Sequence, residues 1–275
     1  MTITTTEASA PPRTRPRRIP EVGGGQGLRI LGLYALAVLV GLSVWQLVAM
    51  KYGPSLVASP RETLSAAGEL ASDGTLGNSV IASSRRILIG WGLGVVVGAP
   101  VGLLIGQIRI VRQFLEPYIE FFRFIPPVAF VTLAVVWLGI GETSKVVLIF
   151  YTAVFIVTLN TSAGVMAVNE SKLRAAASLG ASRSQVLRRI VLPSTVPYIL
   201  TGARLAMGNS FLTIVSAEIV AAQVGLGSLI WTSRNYGRID WVFVGIITLG
   251  LLGLVYDRVL RLIAMRVLRK YGVNV

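Results

Sequence analysis

The chain has neither cysteine nor histidine in its 275 residues. Without cysteine there is no disulfide, no thiol nucleophile and no thiolate metal ligand. Without histidine there is no imidazole ligand and no histidine-based catalytic dyad or triad. Charge is also scarce: charged residues make up 14% of the chain and hydrophobic ones 53%, whereas a soluble domain carries about 25% charged residues. Together with apolar runs longer than about 18 residues, this deficit identifies the lipid bilayer as the solvent. The remaining charge is mostly of one sign, 26 basic against 12 acidic residues. Nucleic acid is not the expected partner, because the basic residues sit in short clusters between apolar runs and not on one folded polar face. No Gly-x-x-x-x-Gly-Lys-Ser/Thr phosphate loop occurs, so the chain cannot hydrolyse ATP by itself. No catalytic residue, cofactor or metal is expected.

Six apolar stretches are present, at 29–50, 84–106, 115–137, 145–165, 194–221 and 241–265. Each is near the ~20 residues that cross a hydrocarbon core as a helix. The expected fold is an all-α integral membrane protein of about six transmembrane helices. Residues 1–27 read as a disordered basic cytoplasmic tail holding Arg13, Arg15, Arg17 and Arg18. No apolar core follows Met1 closely enough for a cleavable signal peptide. Residues 28–74 read as the first transmembrane helix and an external loop, residues 75–268 as a core with a loop at 166–193, and residues 269–275 as a cytoplasmic tail. The polar stretch 51–83 has a weak helical pattern, suited to a loop or a helix lying along the surface. With both termini inside, 17 of the 26 basic residues fall on cytoplasmic segments and seven outside, which predicts a multi-pass protein of a bacterial cell membrane in that orientation.

Four features carry more information. The second span has Gly90, Gly94, Gly98, Gly102 and Gly106 at every fourth position. Such a row winds slowly around a helix and lets another backbone approach closely, so it predicts tight helix packing. The third span contains Arg123-Phe124-Ile125-Pro126-Pro127. The proline pair removes backbone donors and breaks or bends the helix there, marking either a pathway or a plain kink.

The loop 166–193 predicts two short helices. Leu173, Ala176 and Leu179 form an apolar stripe, and Gly180 is placed as a C-cap. Ser182 or Ser184 begins the second helix, Val186, Leu187, Ile190 and Val191 form its apolar face, and Pro193 closes it. These helices could lie on the membrane surface, but the small Ala175-Ala176-Ala177 run suits close docking into a protein groove.

The spacing Ala175-Ala176, three residues, Gly180, nine residues, Ile190-Val191-Leu192-Pro193 resembles the EAA loop of binding-protein-dependent ABC importer permeases. In that family the loop forms the coupling helix that docks on the ATPase subunit. The resemblance therefore implies coupling roles for Glu170, Leu173, Arg174, Ala175, Ala176, Leu179, Gly180, Ile190, Leu192 and Pro193. Arg174 stands where the family usually has Glu. The strings FIPPVAF, WLGIGETSK, ASLGAS and AEIVAAQVGLGSLI extend the resemblance over roughly residues 75–265, to the nitrate/sulfonate/taurine branch. It implies a type I importer-like fold, a second copy of the chain, two ATPase subunits, an extracytoplasmic binding protein and a small anion as substrate. Relatives importing other small molecules look much the same at this level.

The fifth span carries Asn209, Thr213 and Ser216 on one stripe. Polar groups do not face hydrocarbon cheaply, so the stripe either bonds between helices or lines a path. Glu218 stands near the opposite side. It serves as a gate if the helix breaks before Gly225, or pairs with a cation such as Arg86. Arg123, Pro126, Pro127, Asn209, Thr213, Ser216 and Glu218 are thus the candidate pathway or gate residues, and Arg86, Arg123 and Arg204 would favour anions. The expected function is that of the permease subunit of an ABC importer. The competing class is a stand-alone secondary carrier or channel for small anions, which would transport without nucleotide or partners.

Overall fold

A chain this apolar must satisfy its backbone groups within each lipid-exposed segment, which helices do. The computed structural model describes residues 24–270, which are helices joined by short connections, with no strand among them. Of the basic tail expected at residues 1–27, residues 1–23 lie outside the described residues, as do the last five residues of the C-terminal tail, while residues 24–27 open a helix. The chain divides into two units, the first ending at Leu47 and the second starting at Val48. That boundary falls inside helix α1 (Gly24–Tyr52). The apolar stretch Leu31–Tyr52 of α1 is long enough to span.

In the second unit, α2 (Pro60–Ser72) fills the connection read as a loop or surface helix. A capping box starts it: Ser59 Oγ accepts from the Glu62 N–H at 3.3 Å, and the Glu62 carboxylate accepts from the Ser59 N–H at 2.7 Å. These bonds hold the Glu62 carboxyl below the usual glutamate value. Ala66 and Leu70 of α2 pack on Leu229 and Val244, so its apolar face is covered by protein. Helix α3 (Thr75–Gln107) begins well before residue 84 and is 33 residues long.

The third apolar stretch is broken into α4 (Arg109–Arg123), a 3-10 turn (Pro127–Phe130) and α5 (Val131–Leu138), bent by 86°. Pro126 adopts extended dihedrals and lacks a donor N–H, which ends the helical ladder. One carbonyl near the break, that of Phe122, accepts a bond from the Tyr151 hydroxyl at 2.5 Å. Helices α6 (Glu142–Met166) and α9 (Leu192–Ala221) pack on α3 and on each other around Ile87, Ile149, Met207 and Ile214. Helix α10 (Leu226–Asn235) turns back from α9, and α11 (Ile239–Lys270) completes the unit. Five helices are long and apolar enough to cross a membrane, or six if the bent pair counts as one span.

Pro193 does not close a separate loop helix, contrary to the sequence reading. The chain stays helical from α8 (Arg183–Val186) through a π turn (Leu187–Val191) into α9. Pro193 lies in the first turn of α9, and the wider π turn just before it relieves the ring clash and missing donor that would break a regular helix.

Candidate translocation pathway and coupling loop

The loop expected to dock a partner is built by three local devices. Asn169 caps α7 (Glu170–Ser178), its side chain accepting from the Ser171 N–H at 2.8 Å. Gly180, with φ +72°, ends it: Gly180 N–H donates to Ala177 O and Ala181 N–H to Ala176 O, both at 3.0 Å. That paired closure needs a left-handed residue, which glycine supplies at little strain. Ser182 and Gln185 then form a capping box that starts α8.

The stripe Leu173, Ala176 and Leu179 is split by the fold. Leu173 packs with Leu187 and Ile190 on a cluster of Val165, Val168 and Val191, and Ala176 is half-buried. Leu179 is 87% exposed, and Ala175 is exposed beside it. Arg174 pairs with Glu170 one turn earlier at 3.4 Å, with both side chains largely in solvent. Leu192 and Pro193 are half-buried at the root of α9.

The glycine row faces α6. A Cβ at Gly90 would lie 2.6 Å from Ile149 Cβ, at Gly98 2.8 Å from Val154 O, and at Gly102 2.5 Å from Thr158 O. Gly94 and Gly106 abut Ala153 and Val165 in the same way. The backbones come close enough for Thr158 Oγ1 to donate to Gly98 O at 3.2 Å.

At the α9–α10 end a buried ionic cluster joins four helices. Glu218 is fully buried and accepts from Arg86 Nη1 at 2.7 Å, Ser83 Oγ at 2.8 Å and the Gly227 N–H at 2.8 Å. Arg86 also donates to both oxygens of Glu142, at 2.6 and 2.7 Å, and to the Val224 carbonyl at 2.7 Å. Buried Lys145 donates to the carbonyls of Ile140 and Gly141, each at 3.0 Å. Of the two roles considered for Glu218, the Arg86 pair is the one observed. The sequence reading named Arg86 as a candidate partner of Glu218 but gave no role to Lys145. It missed Ser83 altogether, because a single serine in an apolar helix carries no signal of its partner.

A separate open cavity of about 440 Å³ lies beside the 86° break. Arg123, Pro127 and Asn209 line it, joined by Tyr151, Thr152 and Phe155 of α6. Thr213 is buried and meets Thr152, hydroxyl to hydroxyl, at 2.8 Å, so it sits behind the wall. Pro126, Ser216 and Glu218 do not line the cavity. The three α6 residues were not singled out in the sequence, where an aromatic–threonine–aromatic pattern is ordinary for a core helix. Arg123 donates to Glu120 at 2.8 Å and lies over the Phe124 ring, 4.6 Å from its centroid. Arg204 is committed to a two-pronged ion pair with Asp257 of α11. Among the described residues, no three His, Cys, Asp or Glu side chains gather as a metal site.

Comparison with known proteins matches residues 94–269 to the family of binding-protein-dependent transport system inner membrane components. The taurine transport system permease protein TauC of Escherichia coli K12 is 37% identical over 249 residues, covering 88% of this chain and 90% of that one. The nitrate import permease protein NrtB of Synechocystis is 34% identical over 233 residues, covering 82% and 84%. The fold resembles a chain of the inward-facing MetNI methionine ABC transporter, with a TM-score of 0.60 and 20% identity over 73% of this chain and 98% of that one.

Proposed function

The chain belongs to the family of binding-protein-dependent transport system inner membrane components, and we propose that two copies of it form a path for a small anion. It is the permease subunit of an ABC importer, and the energy comes from a separate ATPase subunit. Taurine and nitrate, named for two relatives, set the scale of the substrate. In this reading the cavity at Arg123, Thr152 and Asn209 lies on the path, and Arg123 supplies the positive potential. Glu218, locked to Arg86, holds the α9–α10 end together and does not touch solute.

The observation that carries the coupling role is the α7–Gly180–α8 loop. Its fold is fixed from within by Leu173 and by the glycine closure, while Ala175 and Leu179 face outward with no partner in the unit. Small and apolar groups presented on a fixed turn suit a groove on another protein. Two ATPase subunits and an extracytoplasmic binding protein complete the proposed assembly, with the loop on the cytoplasmic side and both termini inside. Arg174 reverses the usual charge at its position, so an acidic groove residue on the ATPase is the matching partner.

The test is co-expression with the candidate ATPase, reading complex formation and stimulated hydrolysis. Ala175→Glu and Gly180→Trp should abolish both while the chain still inserts. If both variants bind and stimulate as the wild type does, residues 170–192 are not the coupling element. Solute flux through the purified chain without nucleotide would instead favour a stand-alone carrier.

A further inference from the structure

We propose that the chain holds a second solute site: a hydroxyl-lined cavity at the α9–α10 end that binds a small oxyanion, apart from the cavity at Arg123. It is bounded by the start of α3, the α9–α10 turn, α10 and the start of α11, with a volume of about 540 Å³. That lies within the usual range for small-ligand pockets, about 300–1,000 Å³.

Three of its lining serines are buried: Ser79 is 3% exposed, Ser228 6% and Ser233 2%. Some buried hydroxyls are satisfied by the preceding turn, as Ser210 is by Ala206 O and Thr195 by Val191 O, both at 2.8 Å, while Thr161 of α6 is not. None of the three cavity serines makes a side-chain hydrogen bond of this kind, and Ser233 Oγ is a buried atom with no partner. The side-chain amides of Asn78 and Gln223 line the same space and are likewise unbonded within the chain. Ser233 Oγ is a buried atom without a partner, and the uncommitted hydroxyls of Ser79 and Ser228 and the exposed amides of Asn78 and Gln223 surround the same space, so the cavity offers a ligand several free polar groups, one of them costly to leave unmade.

The donor set indicates the ligand class. All five side chains can donate, and no carboxylate lines the cavity. The charged lining residue is Arg238, held in position by Glu69 at 2.8 Å and Asp240 at 2.9 Å, with its guanidinium stacked 4.1 Å from the Trp241 ring centroid. A group with several acceptor oxygens and a negative charge, such as a sulfonate, nitrate or bicarbonate, fits these donors. Glu69 and Asp240 offset the charge of Arg238, so its N–H groups and not a net positive field are what it offers the ligand. The choice of an anion rests on the substrate reading given above, whereas the existence of the site does not.

Binding is tested on the full chain in lipid nanodiscs, without ATPase or binding protein. Trp241 lines the cavity and reports by fluorescence, with Trp241→Phe identifying its share of the signal. Methanesulfonate is titrated against dimethyl sulfone, a neutral molecule of similar shape, at constant ionic strength. We expect a saturable Trp241 response to methanesulfonate and none to dimethyl sulfone. Ser79→Ala with Ser228→Ala should weaken it by about tenfold, and Arg123→Gln should leave it unchanged. Neither serine makes a bond that alanine would break, so the double variant should keep its melting midpoint. If it unfolds, Gln223→Leu removes a donor on the connecting turn instead. The proposal is overturned by no saturable response, by an equal response to dimethyl sulfone, by full retention in the serine variant, or by loss in Arg123→Gln. None of these results bears on the loop, whose test is ATPase stimulation.

Discussion

Arg86 Nη1 lies 2.7 Å from Glu218 Oε1, although the residues are 132 positions apart and Glu218 has no solvent exposure. The two ends of this pair are not equivalent. Arg86 has a second carboxylate in Glu142, whereas Glu218 has Arg86 as its salt-bridge partner.

Arg86→Leu should therefore be more damaging than Glu218→Gln. The first leaves a fully buried carboxylate without its cation, a loss of about 3–5 kcal/mol for a broken buried pair. The second keeps the hydrogen-bond shape while Arg86 retains Glu142. The double variant should be more stable than Arg86→Leu alone. Thermal midpoints of the three variants in detergent or nanodiscs decide the order.

The α3–α6 contact predicts a contrast between neighbouring glycines. Gly98→Val should destabilise by about 1–3 kcal/mol, because its Cβ meets the Val154 carbonyl. Gly92→Ala has nothing within 4 Å and should be neutral or stabilising by up to about 1 kcal/mol. A thermal-shift comparison that ranks them the other way would contradict this packing.

Two threonines on α6 should also behave differently. Thr161 is fully buried and its hydroxyl has no partner, so Thr161→Val keeps the shape and should stabilise by about 1 kcal/mol. Thr158→Val removes the bond to Gly98 O and should cost about 0.5–1.5 kcal/mol. Unfolding of each purified variant provides the measurement.

At Gly180 the surroundings are open, so the effect of substitution comes from the backbone. Gly180→Ala should strain the left-handed turn by about 1–2 kcal/mol and reduce ATPase stimulation. Gly180→Asn, which tolerates that conformation better, should recover most of it. Equal activity of Ala and Asn variants would show that the turn geometry does not matter for coupling.

Glu69 gives a pH prediction. Its hydrogen bonds from Arg238 and then from the Trp241 indole hold its carboxyl below the ordinary 4.5. A carboxyl depressed in the folded state contributes stability above its ordinary value, and that contribution is lost as pH falls through the folded value. Trp241 fluorescence should change reversibly as the pH drops below 4.5, and Glu69→Gln should reduce that change, leaving the part carried by Asp240, which also bonds Arg238. The groups are exposed, so the accompanying stability change should be small.

The sequence by itself determined the class of solvent, the number of apolar spans and the loop turn. These depend on local quantities: run length, a four-residue glycine period, and caps formed within a few residues, as at Asn169, Gly180 and Ser182. It also located the third-span break, since Pro126 and Pro127 disrupt a helix wherever they stand. Only the tertiary structure decided which way side chains face and what they meet. Glu218 could have been a gate or half of a pair, and its burial against Arg86, Ser83 and the α10 N-terminus required three helices to converge. Leu173 and Leu179 share one stripe in sequence, yet one is half-buried and one exposed, because only one meets Val165 and Val191. Pro193 read as a stop, and the π turn before it was invisible because an extra residue in a helical turn leaves no mark on composition. Periodicity records the face a residue occupies, while the partner across that face comes from distant sequence, and so the cavity at Arg123, Thr152 and Asn209 appears only in three dimensions.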